Sequence, residues 1–121
     1  MSGTFTNLEE ADDAALIRVC RADELEAGEA IRVEARVPIA VFNDGGQFFA
    51  VGDTCTHEKA SLSEGYLDQG EIECPLHASR FDIRTGRVLC RPATESLPIF
   101  RVLLRGEHLY VEDVAHISPS A

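Results

Sequence analysis

Short runs of alternating apolar and polar residues, separated by glycine-rich turns, make up most of the chain. Residues 31–37 alternate apolar with charged side chains, which is the period of a half-buried β-strand. Residues 39–42 and 47–51 flank the segment 43–46, Asn-Asp-Gly-Gly, whose residue types tolerate positive φ, so this region predicts a β-hairpin. Further strands are predicted at 16–20, 71–73, 80–83, 87–89, 99–104 and 108–111.

These strands predict an all-β fold in one domain. Residues 21–28 are interpreted as one helical or turn-like excursion, and the sequence has neither a long amphipathic helix nor an internal repeat. Short strands at close spacing are typical of a small antiparallel sandwich or barrel. We expect a domain over residues 15–112, preceded by a loose acidic N-terminal arm (1–14) and followed by a C-terminal tail (113–121).

Composition and charge exclude several functional classes. The 121 residues are 45% hydrophobic and 26% charged, an ordinary globular composition. The formal net charge of −10 argues against nucleic acid and membrane surfaces as partners, and it favours a partner with a basic patch. Because no apolar run approaches the roughly 20 residues of a membrane span, and residues 1–13 lack the features of a signal peptide, we expect a cytoplasmic protein.

Two clusters of cysteine and histidine follow predicted strands. The first is Cys55-Thr56-His57 and the second is Cys74-Pro75-Leu76-His77. Four cysteines are too few for a disulfide scaffold at this length, and in a protein without an export signal cysteines more often bind metal or remain free thiols. Two thiolates and two imidazoles suit both zinc and iron–sulfur clusters. The pattern therefore predicts metal binding by Cys55, His57, Cys74 and His77.

The order of ligands within each cluster separates the two metals. Zinc sites with two cysteines and two histidines often place the histidine pair on a helix, whereas here each cluster mixes one cysteine with one histidine and no helix is predicted. A Rieske [2Fe–2S] centre takes two cysteines on one iron and two histidines on the other. Cys55-x-His57 and Cys74-x-x-His77 resemble the ligand pattern of the Rieske family, and the segments 61–65 and 80–86 are similar to its surroundings. The resemblance runs from about residue 16 to residue 112, and it implies a Rieske-type fold whose cluster-binding subdomain consists of two loops.

The resemblance also indicates a branch of the family. Rieske proteins of respiratory cytochrome complexes have a membrane anchor and a further cysteine in each loop, which form a disulfide; here the corresponding positions are Ala60 and Leu76. The length of the chain also argues against an oxygenase large subunit. The sequence then resembles the soluble Rieske-type ferredoxin of bacterial aromatic-ring dioxygenase systems. That resemblance implies an electron carrier rather than an enzyme, with one [2Fe–2S] cluster and no small-molecule substrate. It would pass electrons from a flavoprotein NAD(P)H-dependent ferredoxin reductase to a terminal oxygenase.

Two other functions fit the same residues. The small Rieske subunit of an assimilatory nitrite reductase is similar in size and ligand pattern, although its cluster region often departs from the full set of four ligands that stands here. Co-purification with a large sirohaem subunit would favour that function. A structural zinc-binding module is the third alternative, and a colourless protein with stoichiometric zinc and no iron would select it.

Four residues near the ligands are candidates for a supporting role. Lys59 lies two residues after His57, in the loop of the first cluster, and Leu76 in the second cluster is expected to be exposed and to shield the metal. Ser79 and Phe81 stand two and four residues after His77, where the cytochrome-complex relatives have a Ser and a Tyr that donate hydrogen bonds to cluster sulfurs. Because Phe81 lacks the hydroxyl, we expect a potential toward the low end of the Rieske range, about −150 mV. We interpret Ser79 as capping the turn into the next strand, and a hydrogen bond from its hydroxyl to a cluster sulfide is the alternative.

The other cysteines and histidines have structural interpretations. Cys20 and Cys90 lie in apolar strand contexts and are expected to be buried thiols. His108 and His116 have no neighbouring cysteine, so we expect them at the surface or in terminal strands.

Overall fold

The computed structural model describes residues 15–56, 59–76, 79–91, 93 and 95–117. In chain order the strands are β1 (Leu16–Arg21), β2 (Ala30–Val33), β3 (Ile39–Asp44), β4 (Gln47–Gly52), β5 (Tyr66–Asp68), β6 (Glu71–Glu73), β7 (Arg80–Asp82), β8 (Val88–Cys90), β9 (Pro98–Phe100), β10 (Val102–Arg105), β11 (His108–Glu112) and β12 (His116–Ile117). Single 3₁₀ turns lie at Ala22–Glu24 and Leu62–Glu64. The predicted all-β fold is confirmed.

The strands form three antiparallel sheets within the described residues. A three-stranded sheet has the order β1-β11-β10, a five-stranded sheet has the order β12-β9-β4-β3-β2, and β5 to β8 follow one another in a four-stranded sheet. The predicted hairpin joins β3 to β4. Its turn requires glycine, because Gly45 and Gly46 have φ angles of 64° and 98°.

The five-stranded sheet is the middle layer of the described fold. Its strand β3 is buried on both faces, which explains why its sequence is a continuous apolar run instead of an alternation. On one face, Ile39 and Val41 pack in a core with residues of the three-stranded sheet such as Leu109. On the other face, Ala40 and Phe42 pack in a second core that includes the four-stranded sheet.

The four-stranded sheet presents alternate rows of residues to the core and to solvent. The inward row, which lies in register across the four strands, is Leu67, Ile72, Phe81 and Val88. The outward row beside it is Tyr66, Glu73, Arg80 and Cys90. In that outward row, Arg80 donates a hydrogen bond to Glu73, and this bond raises the pKa of the Arg80 guanidinium above its ordinary value.

Some strand boundaries differ from the prediction. β2 ends at Val33 because its partner β3 begins directly opposite, at Ile39, so the alternation at 34–37 continues without strand pairing. The predicted strand at 99–104 is two strands, β9 and β10, which separate at Arg101 where the chain passes from the five-stranded to the three-stranded sheet. The sequence pattern does not predict β5 and β12, since strands of two or three residues are too short to show a period.

The two ends of the chain are described only in part, which limits the comparison with the predicted domain boundaries. The predicted arm, residues 1–14, and residues 118–121 lie outside the described residues. Strand β12 falls within the predicted tail and pairs with β9. No helix among the described residues has the length and apolar character that a membrane crossing requires.

Candidate metal centre

The first cysteine loop follows β4. The Cys55 amide donates a hydrogen bond to the carbonyl of Ala60 at 3.0 Å, and an antiparallel bridge pairs Thr54 with Ser61 just outside this bond. Residues 55–60, called the first loop below, therefore follow β4 and have their two ends held together at a narrow neck.

Asp53, at the neck of the first loop, is a buried carboxylate with several donors. It is 1% exposed; its Oδ2 accepts a hydrogen bond from the Ser61 hydroxyl at 2.5 Å and its Oδ1 accepts one from the Ser63 amide at 2.8 Å. The Arg32 guanidinium approaches the same carboxylate to 3.6 Å. Because a buried charge is costly unless donors satisfy it, Asp53 fixes the exit of the first loop. Sequence reasoning missed Asp53, since a single aspartate two residues before a cysteine has no periodic signal.

The second cysteine loop lies between β6 and β7. The Cys74 amide donates a hydrogen bond to the carbonyl of Ser79 at 2.9 Å, so residues 74–79, called the second loop below, close in the same way as the first. Gly65 approaches the entrance of this loop so closely that a Cβ would lie 2.2 Å from the carbonyl oxygen of Glu73. Leu76 is 63% exposed, which confirms the predicted exposure.

Both loop cysteines are buried in one apolar core. Cys55 is 3% and Cys74 is 1% exposed, and the same core contains Leu62, Ile72 and Phe81. Neither cysteine forms a disulfide. Thiolates are soft ligands that iron–sulfur clusters select. The two buried thiols therefore have the donor chemistry that one iron of such a cluster requires.

The two predicted histidine ligands, His57 and His77, lie outside the described residues. Chain connectivity places His57 between Cys55 and Ala60, and His77 between Cys74 and Ser79. Within the part of the chain that the structure describes, no group of three or more His, Cys, Asp and Glu side chains is arranged to hold a metal. The set of four ligands stays a prediction.

The four candidate supporting residues occupy different surroundings. Lys59 is exposed and borders a polar depression of about 310 Å³ that Asp53 also lines. Phe81 is fully buried in the inward row of the four-stranded sheet. Ser79 is also fully buried, but its hydroxyl oxygen accepts a hydrogen bond from the Ala93 amide at 2.9 Å instead of capping the turn into β7. The predicted structural role of Ser79 therefore has a different partner.

The remaining cysteines and histidines differ in part from expectation. Cys90 is exposed, not buried, because β8 is the edge strand of its sheet and Cys90 belongs to the outward row. Cys20 is partly buried, and this burial raises the pKa of its thiol, assisted by the charges of Glu24 and Asp23. His108 and His116 lie in β11 and β12 and are partly buried, as expected for terminal-strand residues.

One groove among the described residues has no cysteine in its walls. It has a volume of about 320 Å³, and its walls include Phe49, Arg84 and His116. None of the residues that line this groove belongs to the first or the second loop, so the groove does not indicate the loops. The Cys-x-His and Cys-x-x-His spacings find them directly.

Comparison with known proteins places these features in a family. Residues 15–101 match the family model of the Rieske [2Fe–2S] domain. The 3-phenylpropionate/cinnamic acid dioxygenase ferredoxin subunit of Escherichia coli (strain K12) is 43% identical over 97 residues, which are 79% of this chain and 92% of that protein.

Solved structures show the same similarity. A chain in the complex of reduced oxygenase and oxidized ferredoxin in carbazole 1,9a-dioxygenase superposes with a TM-score of 0.82 and 39% identity, over 86% of this chain and 98% of that one. The ferredoxin of carbazole 1,9a-dioxygenase from Nocardioides aromaticivorans IC177 superposes with a TM-score of 0.77 and 31% identity, over 81% of this chain and 97% of that one. A putative NADH-dependent nitrite reductase small subunit from Mycobacterium tuberculosis has a TM-score of 0.72, but at 24% identity this likeness shows the fold alone.

Proposed function

This chain belongs to the Rieske [2Fe–2S] domain family, whose domain indicates a single [2Fe–2S] cluster, and we propose that it is the ferredoxin of an aromatic-ring dioxygenase system. The observation that carries this proposal is the 43% identity to a dioxygenase ferredoxin subunit over 92% of the length of that protein. In this role the protein is an electron carrier and has no small-molecule substrate of its own. The cluster domain would occupy residues 15–112.

We propose Cys55 and Cys74 as the thiolate ligands of one iron, and His57 and His77 as the imidazole ligands of the other. The matching closure of the two loops supports this set, because each loop then contributes one cysteine and one histidine. The cluster supplies reversible one-electron transfer, and two imidazoles in place of two thiolates make its reduction easier. The chain's own part is to hold the thiolates in an apolar core and to keep water away from them.

The partners we propose are a terminal oxygenase and a flavoprotein NAD(P)H-dependent ferredoxin reductase. The related ferredoxin in a complex with oxygenase supports the first of these. The chain offers Leu76 as an exposed apolar contact on the second loop, and its net charge of −10 favours basic surfaces. Small transient contacts suit a carrier that must release each partner in turn. We propose the cytoplasm as the compartment, where a reductase has access to NAD(P)H.

The test of this function is spectroscopic and then kinetic. Protein purified without oxygen should contain two irons per chain and, once reduced with dithionite, should show the EPR signal of a Rieske centre. NADH and a purified reductase of a Rieske dioxygenase system should reduce it, and the terminal oxygenase of that system should reoxidise it. Stoichiometric zinc without iron would select the structural zinc module. Tight association with a large sirohaem subunit would select the nitrite reductase function.

A further inference from the structure

A third segment of the chain contacts both cysteine loops. Residues 91–97, called the bridging segment below, connect β8 to β9, and their described members form neither strand nor helix. Ala93 is 2% exposed and Leu97 is fully buried, and both belong to the apolar core that contains Cys55 and Cys74. The bridging segment is therefore packed against the candidate metal centre.

One hydrogen bond fastens the bridging segment to each loop. The Thr56 hydroxyl of the first loop donates to the carbonyl of Glu95 at 2.8 Å. The Ala93 amide donates to the hydroxyl oxygen of Ser79, in the second loop, at 2.9 Å. Both bonds join residues far apart in sequence, so neither one closes a local turn.

The bond to the second loop and the far end of the bridging segment are both held at buried positions. Ser79 is fully buried, so the Ala93 amide would lose this acceptor without gaining water if the hydroxyl were removed. The far end of the bridging segment is also held, because the Leu97 amide donates to the carbonyl of Gly86 at 2.7 Å. At Gly86 a Cβ would lie 2.2 Å from the Leu97 carbonyl oxygen, which shows how closely the two backbones approach.

We propose that the bridging segment ties the two cysteine loops into one unit, with Thr56 and Ser79 as the positioning residues that fix the distance between the loops. Two loops that share one cluster must keep a constant separation, and here none of the four cysteines forms a disulfide that could impose it. The two hydroxyls provide a non-covalent tie in its place. Thr56 and Ser79 act through the loops and need not contact the metal.

The experiment compares cluster loss in three single variants of the cluster-loaded protein. Thr56→Val removes the hydroxyl at nearly constant side-chain shape. In the presence of an iron chelator, we expect this variant to lose its cluster about fivefold faster than the wild-type protein, as measured by the decay of visible absorption. Thr56→Ser keeps the hydroxyl and should lose its cluster at nearly the wild-type rate. Thr54→Val is the matched control, since Thr54 is exposed on the other side of Cys55 and no hydrogen bond of its hydroxyl is found among the described residues. Equal rates for Thr56→Val and Thr54→Val would overturn the proposal.

A second readout separates a tie between loops from a local effect on one loop. If the bridging segment joins the two loops, Thr56→Val should also speed hydrogen–deuterium exchange in a peptide covering residues 91–97, including the Ala93 amide that donates to Ser79. The double variant Thr56→Val with Ser79→Ala should lose its cluster more slowly than the product of the two single-variant rate increases predicts. The reason is that removing either hydroxyl already detaches the bridging segment from one loop and so breaks the tie. Unchanged exchange in that peptide, or fully multiplicative rates, would contradict the tie.

This inference rests on the proposed cluster site, and the wild-type protein tests that site separately. An absent Rieske signal in wild-type protein would refute the cluster site. The exchange comparison between Thr56→Val and Thr54→Val needs no cluster signal, so it decides on the bridging segment in either case.

Discussion

The two cysteine loops close with the same hydrogen bond but are anchored by different chemistry. At the neck of the first loop, polar side chains do the anchoring: buried Asp53 accepts hydrogen bonds from Ser61 and from the Ser63 amide. The second loop is anchored by backbone, because it joins the paired strands β6 and β7 and because Gly65 lies against the carbonyl of Glu73.

This difference follows from the elements that flank each loop. The first loop begins after β4 and leads into a 3₁₀ turn, so only the single bridge between Thr54 and Ser61 pairs its two ends. A buried carboxylate supplies the remaining bonds. The second loop has a strand on each side, with Glu73 opposite Arg80, and needs no such carboxylate. We therefore expect side-chain changes to weaken the first loop most, and added backbone bulk to weaken the second.

The largest expected effect is the loss of a ligand, which should break either loop equally. His57→Ala and His77→Ala each remove an imidazole from iron, so both variants should lose or degrade the cluster and become less stable. Visible absorption, iron content and EPR of the reduced protein check this, with His108→Ala as the control in β11. Full iron content with an unchanged EPR signal in either ligand variant would contradict the proposed ligand set.

Asp53→Ala should cost the first loop its anchor. The variant leaves the Ser63 amide and the Ser61 hydroxyl without their acceptor, and we expect a loss of about 3 kcal/mol in the free energy of unfolding. Anaerobic urea unfolding measures it, and Asp68→Ala, at an exposed position, should change stability by less than about 0.5 kcal/mol. Equal changes in unfolding free energy for Asp53→Ala and Asp68→Ala would show that Asp53 does not anchor the first loop.

Gly65→Ala tests the second loop by bulk alone. The φ of Gly65 is −84°, which alanine adopts readily, so the expected loss of about 2 kcal/mol arises from the contact with the Glu73 carbonyl. Gly106→Ala is the complementary control, because an added Cβ meets nothing within 4 Å there and the cost comes from a φ of +60°. A smaller effect at Gly65 than at Gly106 would show that the two backbones separate easily.

Ser79→Ala should affect stability more than potential. The structure gives the Ser79 oxygen a partner in the Ala93 amide, so we expect a loss of between about 1 and 2 kcal/mol in unfolding free energy. We expect the midpoint potential to shift by clearly less than about 40 mV, which is the shift for a hydrogen bond worth about 1 kcal/mol more in the reduced state. Protein-film voltammetry measures the midpoint. A drop of 40 mV or more, by the same conversion, would mean that Ser79 donates to the cluster.

The smallest expected effect is on the rate of electron transfer from a reductase, and it differs between the exposed residues of the two loops. The first loop exposes Lys59 and the second exposes Leu76. The rate of reduction by a flavoprotein reductase should fall as salt rises, because exposed charges are screened beyond about 8 Å at physiological ionic strength. Lys59→Ala should raise the low-salt rate by about twofold, whereas Leu76→Ala should lower the rate at every salt concentration. A wild-type rate independent of salt would show that the net charge does not steer the encounter.

The elements whose side chains follow a period could be predicted from the sequence, whereas the set of four ligands stays a prediction from its spacing. The hairpin of β3 and β4 was predictable from its apolar runs and its Asn-Asp-Gly-Gly turn. The anchors were not predictable, because Asp53, Thr56 and Gly65 act through contacts with residues distant in sequence or through close backbone approach. Exposure of Cys90 was likewise hidden, since it depends on β8 being an edge strand.

The most direct test of the proposed centre is a count of the nitrogen atoms bound to its reduced iron. The chain has four histidines, so protein labelled with ¹⁵N-histidine and reduced with dithionite can be examined by pulsed EPR. We predict couplings from two imidazole nitrogens, one lost in His57→Ala and the other in His77→Ala where any cluster is retained, with His108→Ala and His116→Ala unchanged. A reduced cluster with no strongly coupled histidine nitrogen would contradict the proposal that each loop supplies one cysteine and one histidine.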